Sequence, residues 1–116
     1  MIEGRKHTQN DILIAVQRQC PYHLNYIIEL FKRTNPPHIV EYWVNREALC
    51  FGIKNFAKAY ALGKEFRKPY KICHEGLIIG KKDPRAPIIY LLDGCHRAGA
   101  YILAEYSKIP VVVLEG

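Results

Sequence analysis

Asp93-Gly94-Cys95-His96-Arg97 places a carboxylate, a thiol, an imidazole and a guanidinium within five consecutive positions, interrupted only by a glycine. Each type has a chemistry. A carboxylate accepts a proton or holds Mg²⁺, and an imidazole donates a hydrogen bond or acts as an acid near neutral pH. A guanidinium meets two phosphate oxygens at once in a planar fork. Gly94 lets backbone approach a ligand closely or take positive φ. Cys95 would be a thiol in an electropositive place, where the thiolate is favoured. Binding of a phosphate group is therefore assigned to Gly94, Cys95, His96 and Arg97, and His96 is the candidate acid.

The flanks must hold this pentapeptide in shape. The apolar, β-branched run Ile88-Ile89-Tyr90-Leu91-Leu92 precedes it, and an Ala-rich stretch without Gly or Pro follows from Ala100 to Lys108, so the order reads strand, tight turn, helix. The first turn of a helix carries N–H groups with no acceptor inside the helix and the positive end of its dipole, a combination that binds anions. Ile109-Pro110-Val111-Val112-Val113 then reads as a closing strand. Residues 88 to 92, the helix to about Ser107 and residues 110 to 114 are expected to form a β-α-β unit with its two strands side by side, the crossover right-handed if they run parallel.

The pentapeptide in this order of elements resembles the phosphate-binding motif of the ParB/sulfiredoxin superfamily. Sulfiredoxins carry Gly-Gly-Cys-His-Arg there, and many ParB-like proteins carry Asp-Gly-x-His-Arg. The likeness runs from Pro69 to Leu114, weakens towards Ile39 and does not reach residues 1 to 37. It implies a small α/β (mixed α+β) domain, a nucleotide ligand (ATP, ADP or CTP) with Mg²⁺, and phosphoryl transfer or nucleotide hydrolysis at the loop. Two other functions come with it: a non-catalytic DNA-binding module, and a sulfiredoxin-like ATP-dependent reduction of a cysteine sulfinic acid by Cys95. Asp93 stands where sulfiredoxins have glycine, and matches instead the ParB-like members that include free-serine kinases and proteins described as nucleases. The resemblance thus makes Asp93, Cys95 and His96 the catalytic candidates, Asp93 as a holder of Mg²⁺ or an acceptor of a proton.

At 116 residues, 49% of them hydrophobic, the chain suits one domain, with residues 1 to 37 a helical extension and 38 to 116 the core. The net charge of +6 favours phosphate-bearing partners, a nucleotide or phosphorylated small molecule and, in the module reading, DNA. No apolar run approaches the roughly 18 to 20 residues of a membrane span, and the N-terminus lacks the apolar core of a signal peptide; a cytoplasmic protein is expected. Four scattered cysteines, Cys20, Cys50, Cys73 and Cys95, do not form a secreted disulfide framework. Cys73-His74 and Cys95-His96 invite zinc, but neighbours on a strand point to opposite faces, so no metal site is assigned. Ile2-Glu3-Gly4-Arg5 coincides with a processing-protease recognition sequence used in recombinant expression, and no function is placed on it.

Along the chain, Thr8 or Asn10 can cap a helix whose Ile12, Ala15, Val16 and Gln19 share one face. Leu24, Ile27, Ile28 and Phe31 repeat that spacing in a second helix, which Asn35-Pro36-Pro37 ends. Both are expected to pack on the sheet as an N-terminal layer. His38 to Val44 reads as a strand, with Glu41 at a sheet edge or in a cleft facing the loop. Asn45 can cap a helix including Glu47, Ala48 and Leu49, and Asn55 to Gly63 reads as another, with Phe56, Ala59 and Tyr60 inward. Residues 54 to 71 carry Lys54, Lys58, Lys64, Arg67, Lys68 and Lys71, read as a solvated face in preference to a rim that draws nucleic acid. Residues 69 to 73 and 77 to 79 read as short strands separated by His74-Glu75-Gly76, or as one strand with a bulge at Gly76, and Lys81 to Pro87 as a polar turn.

Overall fold

The computed structural model describes residues 2–53, 55–66 and 76–115. The elements are β1 (Ile2–His7), α1 (Gln9–Gln19), α2 (Leu24–Thr34), β2 (Ile39–Asn45), β3 (Leu49–Cys50), α3 (Phe56–Phe66), β4 (Ile79–Lys82), β5 (Ile89–Asp93), α4 (Cys95–Leu103) and β6 (Lys108–Leu114). The mixed α/β class is as expected. The six strands lie in the order β1-β2-β6-β4-β5-β3, parallel at β6/β4 and β5/β3 and antiparallel elsewhere.

Helices cover both faces. Ile12, Val16, Ile27, Leu30 and Phe31 of α1 and α2 pack on Ile39, Ile79, Val112 and Leu114, the N-terminal layer anticipated from periodicity. Ala98 and Tyr101 of α4 and Phe66 of α3 pack on Val44, Ile78, Ile109, Val111 and Val113. β6, buried on both faces from Ile109 to Leu114, is the central strand its continuous apolar run requires.

The expected side-by-side pairing of the strands around residues 88 to 92 and 110 to 114 is not found. β4 lies between β5 and β6, antiparallel to the first and parallel to the second, so β5 and β6 run in opposite directions and α4 is no parallel crossover. The short turn after β4 is the cause. Asp83 N–H donates to Ile88 O (2.9 Å) and Arg85 N–H to Asp83 Oδ1 (2.8 Å), which folds β4 back on β5 before β6 is reached. Lys81 and Lys82 consequently belong to β4, and only Asp83 to Pro87 are turn.

Other expectations are corrected as well. The segment after Asn45 is a single 3-10 turn, Arg46–Ala48, without a side-chain cap, and Leu49 continues into β3 beside Ile89. α3 turns Phe56 and Tyr60 outward, 69% and 56% exposed, and buries Ala59. Close approach of α4 decides that face: a Cβ on Gly63 would lie 3.1 Å from Ala100 O, a separation only small residues permit. α4 ends at Leu103 rather than near Ser107, because Tyr106 N–H bonds Tyr101 O and Glu105 N–H bonds Ile102 O around Glu105 at φ 67°. That is a Schellman closure with glutamate at the usual glycine position. The strand expected over residues 69 to 73, and Cys73-His74 with it, lie outside the described residues.

The N-terminus is the largest correction. Residues 2 to 5, expected within the helical extension, lie instead in β1, where Ile2 and Glu3 pair with Trp43 and Tyr42. Glu41 is consequently neither at an edge nor in the cleft. It is 3% exposed, and its Oε1 accepts from His7 Nε2 (2.6 Å) and Arg5 Nε (2.8 Å). Thr8, not Asn10, caps α1 in a reciprocal box with Asp11. Among the described residues no helix is long and apolar enough to cross a membrane.

Candidate functional site

The loop sits where β5 ends. Gly94 takes φ 87° and is the N-cap of α4, without a side-chain cap. Only glycine fits, because a Cβ would lie 2.9 Å from Ile78 Cα and 3.0 Å from Leu77 O, in a left-handed backbone conformation. Cys95, His96 and Arg97 are thereby the first three residues of α4, with N–H groups that have no acceptor within the helix.

A cleft of about 640 Å³ opens over this turn, and Asp93, Gly94, Cys95, His96 and Arg97 all line it. Sequence reasoning named these five, and the structure brings them together. Gln19, Tyr22, Lys58 and Gly76 line the same cleft from elements far off in the chain. Gln19 was legible only as a polar residue on the inward stripe of α1.

Gln19 organises the carboxylate. Its Nε2 donates to Asp93 Oδ2 (2.7 Å) and to Leu77 O (2.9 Å), and its Oε1 accepts from Leu77 N–H (2.7 Å). One neutral amide thus locks α1, the approach to β4 and the end of β5 together. Beside it, burial first and then the Asp93 charge push the Cys20 thiol up to about 11, so Cys20 stays protonated at neutral pH. Tyr22 is raised in the same sense, by burial and then by Asp93.

The two cationic candidates divide. His96 Nε2 accepts from the backbone N–H of Asn55 (3.2 Å), so that nitrogen carries no proton and only Nδ1–H is left to donate. Asn55 in turn caps α3, its Oδ1 accepting from Lys58 N–H (3.0 Å). His96 therefore ties the loop to α3, which puts Lys58 on the rim. Arg97 does not form the ion pair with Asp93 that is the structural alternative to phosphate binding. Its guanidinium lies over the Phe66 ring, 5.6 Å from the centroid, and against Gly76, where a Cβ would stand 2.8 Å from Nη2. The contact is of the cation–π kind. Among the described residues Arg97 and Lys58 take part in no ion pair, and no three of His, Cys, Asp and Glu gather into a metal site.

The cleft thus brings together a helix start, a guanidinium that takes part in no ion pair among the described residues, a lysine and a carboxylate held by a neutral donor. No protein-family model matches the sequence, and no curated protein sequence matches it.

Proposed function

We propose that the cleft binds the terminal phosphate of a nucleotide, or another phosphorylated ligand, and that it is the active site of a phosphoryl-transfer or nucleotide-hydrolysing enzyme. One observation carries this reading: left-handed Gly94 turns β5 into α4 so that the first-turn residues Cys95, His96 and Arg97 line a single cleft with Lys58 and Asp93. The amides and the guanidinium bind phosphate oxygens. Asp93, held through one oxygen by Gln19, accepts the proton of the attacking hydroxyl or water. Mg²⁺ fits such a place, since it takes one or two carboxylates and completes its shell with phosphate and water; it would supply charge neutralisation. The likeness of the loop to ParB/sulfiredoxin motifs supports the phosphate reading, although the strand neighbourhood expected with it is not the one found.

The DNA-binding reading comes second because cations of the β4–β5 hairpin are engaged within the molecule. Lys82 pairs with Glu115 (3.7 Å) and Lys81 lies over the Tyr26 ring (5.4 Å). Sulfinic-acid reduction at Cys95 comes third, since Asp93 departs from the sulfiredoxin pattern.

Titration calorimetry with ATP, ADP and CTP, with and without Mg²⁺, tests the proposal. Arg97→Ala is expected to weaken binding about 10- to 100-fold, the worth of a charged hydrogen bond or a bidentate pair. No binding of any nucleotide, or binding indifferent to Arg97→Ala, overturns it. DNA binding that falls steeply with salt and ignores Arg97→Ala favours the module.

A further inference from the structure

Phosphate chemistry leaves one wall of the cleft without a task. Tyr22 stands in the 3-10 turn between α1 and α2, three residues beyond Gln19, and lines the same cleft as Asp93, Gly94 and Arg97. Its side chain is 74% exposed, more than any other large hydrophobic among the described residues. Its ring is supported on one side by His23, centroids 4.5 Å apart and planes inclined at 53°. Isolated exposed aromatics are common on protein surfaces. This one lines the same cleft as the helix start at Gly94 to Arg97.

The rest of the lining has the same two-sided character. Leu62 and Leu92 add apolar surface, while Lys58 and Arg97 supply positive charge. A ligand that matches carries both a flat, weakly polar face and phosphate, and the volume of about 640 Å³ lies within the range of small-molecule sites. A sugar phosphate or an inorganic polyphosphate satisfies only the charged half.

We infer that Tyr22 is the stacking platform for the base of a nucleoside di- or triphosphate whose phosphates lie on Gly94 to Arg97. This rests on the phosphate reading of the loop and narrows its ligand to nucleotides. Every base has a π face, so the platform tolerates base identity, with purines favoured over pyrimidines by their larger overlap. The base contact comes from the N-terminal helical segment, which becomes part of the site rather than a layer added to it. The Gln19–Asp93 bond holds that segment at the working distance from the loop.

Calorimetry on the full chain with ATP, CTP and inorganic triphosphate, each with Mg²⁺, separates base from phosphate. ATP is expected to bind the unaltered protein more tightly than triphosphate does. Tyr22→Ala is expected to weaken ATP about tenfold, as loss of one base stack does, and to change triphosphate by less than about twofold. Tyr22→Phe retains ATP affinity. A circular-dichroism melt checks that the variants fold, which the exposure of Tyr22 favours. Equal affinity for ATP and triphosphate in the unaltered protein, or a Tyr22→Ala loss that is absent or the same for both, overturns the inference while leaving the phosphate reading intact. Binding of neither ligand overturns both.

Discussion

Glu41 and Asp93 are both carboxylates on one sheet, and their surroundings are opposite. Glu41 is sealed between β1 and the α1 face, with His7 and Arg5 both on a single oxygen. Asp93 stands at the open end of β5, held by the neutral amide of Gln19, and the nearby Arg97 stacks on Phe66 instead of pairing with it. A buried carboxylate that accepts from a guanidinium and an imidazole on one oxygen is a fastener. A partly exposed one beside a guanidinium that takes part in no ion pair among the described residues keeps the two charges apart. The difference lies in whether opposite charges have been allowed to meet, since a direct pair in either place satisfies both groups and removes them from chemistry.

The comparison breaks most sharply at turnover. If Asp93 accepts a proton, Asp93→Asn is expected to lower phosphoryl-transfer or hydrolysis rates about 10²- to 10⁴-fold. Its effect on the denaturation midpoint is expected to be small, because an asparagine oxygen still accepts from Gln19. Unaltered turnover in steady-state assays, or a large loss of stability, would make Asp93 another structural carboxylate.

Glu41→Gln is expected to do the reverse, costing about 2 kcal/mol in urea unfolding with nucleotide affinity unchanged. That is less than the roughly 3 to 5 kcal/mol of a fully buried pair, since Arg5 is 48% exposed and recovers hydration. Lost nucleotide binding in a folded Glu41→Gln protein would erase the distinction between the two residues.

The smallest effect is read at Cys20, whose thiol reports the charge on Asp93. Its folded value of about 11 lies above the ordinary 9.0. The thiol therefore contributes stability that is complete below the unfolded value and is lost as pH rises through the folded one, a window of about 9 to 11. Burial is the larger cause and Asp93 the second. Asp93→Asn is expected to bring the thiol part of the way back down, seen as a smaller loss of stability between about pH 9 and 11 in urea unfolding. No change in that profile would mean that the carboxylate carries no charge beside Cys20.

Much of this was open to a reader of the chain, and the reason is locality. A β-branched run, a glycine and a helix-forming stretch follow one another without interruption, so the loop, its left-handed Gly94 and the five residues lining the cleft could be named from sequence order. The two amphipathic N-terminal helices were legible because a 3.6-residue repeat does not depend on the partner that covers it. What hid the rest was sequence distance or an atypical residue. β1 has too few apolar positions to advertise a strand, and only the open edge of β2 with the charge of Glu41 draws it in. α4 closes on Glu105 where glycine is the usual signal.

From sequence alone came the position of the loop, the residue types it gathers and the mixed α/β class, all set by residues that touch their chain neighbours. Tertiary structure alone decided that β4 separates β5 from β6, that Arg97 lies on Phe66 instead of meeting Asp93, and that Gln19 and Tyr22 reach a loop some 74 positions away. Strand order and side-chain partners across such separations depend on which edges and faces remain uncovered once the local pieces have formed. A local pattern carries no record of those competitors.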